Sequence, residues 1–189
     1  MGIDRPVALI IGFSISAFRA FDWHNCSLNQ FATMLNSLLY KLDSDRFLAI
    51  TIGCLELDTN HATLLCCGHS DSAHITRSGH CMQWKTALSP PLGISEFIGD
   101  IPAYQFRLDD DSWLVMITDG VSEAFGTEIT QQRQGLAEYF CQSSSDYPPL
   151  TLINRLFSHL QDLPACAHDD RTALIIRPEA GEKVQLPGL

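Results

Sequence analysis

From Arg46 to Thr118 the chain is dominated by short strand-forming runs set close together, and this crowding limits the folds open to it. "RFLAITIGCLELD" passes through the turn "TNHA" into "TLLCCGHS", "AHITR" and "CMQWK" flank Ser78-Gly79, and "YQFRL" and "SWLVMIT" flank the acidic turn Asp109–Asp111. β-Branched and aromatic residues punctuated by Gly, Asn, Asp and Ser are the pattern of strands joined by turns. Connections this short within each pair serve antiparallel neighbours. The expectation is three hairpins in an antiparallel sheet.

Helical patterns flank this region. Pro6 suits a helix's first turn, and residues 6–22 contain no internal breaker except Gly12. Ser27 followed by Gln30 is a capping-box pattern for a second helix to about Leu42, with Leu28, Phe31, Leu35, Leu38 and Leu39 as its apolar stripe. Two more helices are expected at 128–142 and 149–161, separated by "SSSDYPP", before a last strand "TALIIR" that stops at Pro178. Helices, antiparallel strands, helices and a strand make an α+β arrangement. One domain is expected over 1–178, with 179–189 as a tail.

The formal charge of −10, from 12 basic and 22 acidic residues, argues against nucleic acid and anionic lipid as partners. Val7 to Phe18 is apolar but too short to span a bilayer, and no basic start or clean cleavage site marks a signal peptide. The seven cysteines are odd in number, form no C-x-x-C pair and lie mostly in apolar runs. They read as small buried hydrophobes in a reducing, cytoplasmic setting. Adjacent Cys66 and Cys67 should point to opposite faces of their strand.

Two segments could carry chemistry. In "LVMITDGVSEAFG" an apolar strand delivers Asp119 at its end, with Gly120 allowing a tight turn, which suits a hard cation at a sheet edge. Equally, Asp119 could simply cap the next helix. In "HDDRTALII" Asp169 and Asp170 stand just before the terminal strand, where a cation would relieve their repulsion; a solvated loop is the plainer reading. Gly68-His69 reads as a turn after a buried strand, and Pro90, Pro91 and Gly93 shape a rigid loop. No G-x-S-x-G, P-loop or G-x-G-x-x-G occurs, so serine-hydrolase, nucleotide and dinucleotide readings lack support.

The ordered set "RFLAITIGCLELD…CCGHS…SPPLGI…LVMITDGVSEAFG…HDDRTALII" resembles the SpoIIE-like, PPM-type serine phosphatases of bacteria from about residue 1 to 177. Those proteins show "AGH", "PPLG", "TDGVTEA" and "DDIT" in the same order. The resemblance implies a PPM-type α-β-β-α sandwich of antiparallel sheets flanked by helices. It also implies hydrolysis of phosphoserine or phosphothreonine with Mn²⁺ or Mg²⁺, in a two-metal site. The substrate implied is an anti-anti-sigma-type phosphoprotein, with an upstream sensor or receiver domain as a further partner. Carried over by position, Asp119 matches the "TDG" metal ligand and Asp169 the ligand of the terminal pair, with Asp170 beside it. His69, Gly120, Glu123 and the "PPLG" segment match structural or switch-related positions.

The match departs at the start. "MGIDRPVALI" aligns with the second half of the family's "DVSGKGVPAALL", so the Asp that bridges both metals would precede Met1, and Asp4 stands where glycine is usual. The expectation is an N-terminally shortened domain with an exposed edge or apolar face and at most one weakly held, mostly hydrated cation. The alternatives are a catalytically impaired pseudophosphatase that binds a regulatory protein, and an unrelated α+β domain with coincidental Asp-Gly turns.

Overall fold

The structure is a computed structural model and describes residues 5–42, 47–68, 72–76, 81–110, 112–142, 147–162 and 170–178. The chain divides into two compact units, one of Met1–Ser70 with Lys85–Arg107 and one of Asp71–Trp84 with Leu108–Leu189.

The first unit opens with helices α1 (Arg5–Ala20) and α2 (Leu28–Lys41). The capping box forms as its residues dictate: the Gln30 N–H donates to Ser27 Oγ, and the Ser27 N–H donates to Gln30 Oε1. Between the helices, Phe18, Phe21, Trp23 and Phe31 gather with ring centroids 4.8–5.6 Å apart. Strands β1 (Ile50–Glu56), β2 (His61–Cys67) and β5 (Tyr104–Arg107) form a sheet in the order β1-β2-β5. The β1–β2 hairpin is antiparallel, as expected, with Ile50 opposite Cys67 and Glu56 opposite His61. Phe31, Leu35 and Leu39 of α2 pack with Ile52, Leu65 and Cys67 of this sheet. Leu38, expected in the apolar stripe, lies exposed at its margin instead, while Ala32 and Asn36 are buried. On α1 an apolar face stays exposed: Ile11, Ile15 and Phe18 are 43%, 48% and 45% accessible.

The second unit is built on the sheet β4-β3-β6-β7, with β3 (Ser72–Thr76), β4 (Cys81–Lys85), β6 (Ser112–Ile117) and β7 (Ala173–Ile176). Central β6 pairs antiparallel with both β3 and β7, and five of its six residues are buried. After it come the short helix α3 (Asp119–Ser122), a 3-10 turn at Glu123–Phe125, α4 (Ile129–Gln142) and α5 (Pro149–Asp162). Leu136, Leu152, Leu156 and Leu160 of α4 and α5 close the core against Ile75, Trp113, Val115 and Ile175, each leucine at most 1% accessible.

The expected third hairpin does not form. A turn does sit before β6, with the Ser112 N–H donating to Asp109 O at 2.8 Å, but it leads from one sheet to the other. The pattern explains this: β5 alternates between half-buried and exposed residues and fits the edge of β2, whereas nearly continuous burial makes β6 a central strand needing partners on both sides. The cysteines also divide. Cys66 and Cys67 are buried on both faces of β2, but Cys54 is exposed and Cys26 and Cys141 are half-buried. The Ser78-Gly79 turn and the 179–189 tail lie outside the described residues. No helix among the described residues is long and apolar enough to cross a membrane.

Candidate functional site

Because β6 and β7 run antiparallel, the end of β6 and the approach to β7 share one end of the sheet, where Ile117 pairs with Ala173. Just beyond that pair, Thr118 fastens the acidic segment in place. Its N–H donates to Thr172 O at 3.1 Å, its Oγ1 accepts the Thr172 N–H at 2.9 Å, and its hydroxyl donates to Asp170 O at 2.9 Å. One threonine therefore brings the segment beginning at Asp170 beside the strand end that presents Asp119.

Asp119 is exposed and is the first residue of α3; the cap position belongs to Thr118, whose side chain makes no capping bond. The Asp119 carboxylate accepts its neighbour's Gly120 N–H at 3.0 Å through Oδ1. Gly120 is buried and lies in the helical turn. Its carbonyl accepts Arg171 Nε–H at 3.2 Å, and Arg171 Nη1 donates to Leu160 O at 3.2 Å near the end of α5. Arg171 thus ties together the Asp119-Gly120 turn, the acidic segment and α5. Thr118 and Arg171 escape a search for metal-ligand types, although each adjoins a candidate carboxylate in "ITDG" and "DDRT".

Of the expected ligands, Asp119 and Asp170 are exposed carboxylates at this end of the sheet, while Asp169 lies outside the described residues. Among the described residues no group of three or more His, Cys, Asp or Glu is placed to hold a metal ion. Carboxylate oxygens fit Mg²⁺ or Mn²⁺ in kind, and hydration supplies the remaining positions of a loosely held ion. Glu123 is half-buried in the 3-10 turn that follows.

The other pair of motifs meets in the first unit. Gly68 has φ +70°, and a Cβ there would lie 2.4 Å from Pro91 Cγ and 2.9 Å from Pro91 Cα. Glycine is required both for the backbone turn and for this close approach. The Leu88 N–H donates to Cys66 O at 3.1 Å and the Gly68 N–H to Ser89 O at 2.9 Å, while Leu48 and Leu92 exchange bonds of 2.9 and 2.8 Å. Two asparagines on α2, seven residues apart and so on one helix face, hold the loop that follows. Asn36 accepts the Gly93 N–H at 2.8 Å and donates to the Ser95 and Glu96 carbonyls, and Asn29 makes a reciprocal pair with the Ile101 backbone. An apolar-stripe reading of α2 overlooks both. His69 and Asp4 lie outside the described residues.

The family model for stage II sporulation protein E (SpoIIE) matches residues 1–179. No curated protein matches by sequence. Among solved structures, the RsbU and RsbW domains of Rv1364c from Mycobacterium tuberculosis match with TM-score 0.75 at 15% identity, over 93% of this chain and 48% of that one. The PP2C phosphatase domain with a regulatory-domain fragment of the cell fate determinant SpoIIE from Bacillus subtilis matches with TM-score 0.74 at 18% identity, over 94% and 52%. A Mn-presoaked phosphatase domain of the same Bacillus subtilis protein matches with TM-score 0.60 at 15% identity, over 100% and 80%. The chain thus spans about half of the first two structures, 48% and 52%. These likenesses establish the α+β fold of PP2C-type phosphatase domains.

Proposed function

The chain belongs to the stage II sporulation protein E family, and from that premise we propose that it is a protein serine/threonine phosphatase domain working in the bacterial cytoplasm. The observation that carries the reading is the joining of Asp119 to the acidic segment at one end of the β6–β7 pair. Asp119, Asp169 and Asp170 are the side chains that would hold Mn²⁺ or Mg²⁺. When bound there, the cation would polarise the phosphoryl oxygens and lower the pKa of water.

The protein's own part is positional. Thr118 holds the two acidic segments at a fixed separation, and Arg171 keeps the Asp119-Gly120 turn against α5. Holding the backbone of these segments lowers the entropy cost of gathering their carboxylates around an ion. The substrate class suggested by the family resemblance is a phosphorylated anti-anti-sigma-type regulator, with an upstream sensor or receiver domain setting the activity.

The test uses a version of the chain extended by the upstream family segment, with a phosphoserine peptide and Mn²⁺. Asp119→Asn should abolish hydrolysis; retained activity overturns the assignment. A second reading, a catalytically impaired module that binds a regulatory protein, is favoured by Asp4 standing where the family has glycine. Tight two-site Mn²⁺ binding to the chain of 189 residues, measured by calorimetry, rules out that second reading.

A further inference from the structure

The first unit contains a cavity of about 620 Å³ that plays no part in the proposed phosphatase chemistry. Its floor is the helix-facing side of the β1–β2 hairpin, where Cys54 lies opposite Thr63. Phe18 and Trp23, from the end of α1 and the turn after it, form an apolar wall, and Leu65 borders the inner end. The helices pack on the Ile52–Leu65 part of the sheet but leave the Cys54–Thr63 part uncovered.

Two features of the lining narrow the ligand. The wall is set in advance: Trp23 Nε1 donates to Phe18 O at 2.9 Å, and the indole contacts the Phe18, Phe21 and Phe31 rings at 4.8–5.0 Å. A rigid aromatic wall in a cavity of this size suits a small molecule, because little side-chain freedom is lost on binding. Among the described lining residues Glu56 is the one with a charged side chain, and His61, opposite it in β2, is not one of them. Its Oε2 accepts the Thr59 hydroxyl at 2.9 Å, which steadies the carboxylate at the rim. A carboxylate beside aromatic faces attracts a cation and repels an anion.

We infer that this cavity is a binding site for a small apolar amine, its hydrocarbon part against Phe18 and Trp23 and its ammonium at Glu56. The site is independent of the phosphatase reading, and so is its test.

Calorimetric titration of the whole chain should compare 4-phenylbutylamine with 4-phenylbutanoate, two probes of matched shape and opposite charge. The amine should bind saturably and at least about threefold more tightly, a preference of the size that one charge contact at an exposed carboxylate provides. Glu56→Gln should erase that preference. Cys54→Phe, at an exposed position on an edge strand, should abolish binding of the amine while leaving the circular dichroism spectrum and thermal midpoint unchanged. Equal binding of the two probes, no saturable binding of either, a preference that survives in Glu56→Gln, or full binding by a folded Cys54→Phe would each overturn the proposal.

Discussion

The two units solve the same problem, covering a small antiparallel sheet with helices, by different means. In the second unit leucines do the work: Leu136, Leu152, Leu156 and Leu160 are essentially inaccessible, and polar braces from Thr118 and Arg171 fix the end of the sheet where Asp119 stands. In the first unit Phe31, Leu35 and Leu39 of α2 also cover the sheet, but asparagine amides tie α2 to the 93–101 loop, α1 keeps an exposed apolar face and a cavity remains over the sheet. The difference teaches that the recognisable motifs of this chain belong to two kinds. "TDG" and "DDRT" place carboxylates, whereas "CCG" and "PPLG" place backbone.

Leu156→Ala should produce the largest loss of stability, about 2–5 kcal/mol, because it leaves a void in the tightest part of the second unit. Hydrogen exchange would localise the loss to β6, β7 and α4; a loss spread evenly over both units would break the contrast. Gly68→Ala should cost about 1–3 kcal/mol, since alanine at φ +70° is strained and its methyl collides with Pro91. Chemical denaturation measures this, and an unchanged midpoint would show that the loop yields more easily than the contact distances imply.

How much of this could be read in the residues depends on which link is asked about. The capping box at Ser27 and Gln30, the helix boundaries and the β1–β2 hairpin depend on neighbours in sequence, and they formed where those neighbours lie. The pairing of β6 with β7, and the loss of the expected β5–β6 hairpin, depend on which strand is buried on both faces, a property of the assembled sheets. Asp119 was legible as a carboxylate at a strand end. Thr118 was not, because a threonine next to an aspartate has no meaning until Asp170 and Thr172 arrive beside it. Asn29 and Asn36 were hidden for the same reason: their partners lie 57–72 residues away.

A smaller effect tests the brace at the site. Thr118→Val keeps the shape but removes the hydroxyl that joins Asp170 and Thr172, and should cost about 1 kcal/mol of stability. Cation affinity should fall with it, whereas unaltered affinity would mean that the acidic segment is positioned by other contacts.

An effect confined to alkaline pH concerns the first unit. Burial pushes the Cys67 thiol from its ordinary 9.0 up to about 11 and raises Cys66 as well. A value raised by folding gives stabilisation that is complete below the unfolded value of 9.0 and lost as pH rises through about 11. Thermal midpoints should therefore decline over that alkaline window. Below it, exposed Cys54 should react with a thiol reagent well before Cys66 and Cys67. Equal labelling rates would contradict the burial of β2.

The most direct test of the central claim, that Asp119 and the acidic pair at 169–170 form one cation-holding end of the second sheet, is a Mn²⁺ titration followed by water-proton relaxation. The native chain should bind a single Mn²⁺ weakly, and both Asp119→Asn and the double variant Asp169→Asn, Asp170→Asn should lower that affinity at least about tenfold, roughly the contribution of one charged ligand contact. Affinity unchanged in either variant would contradict the claim.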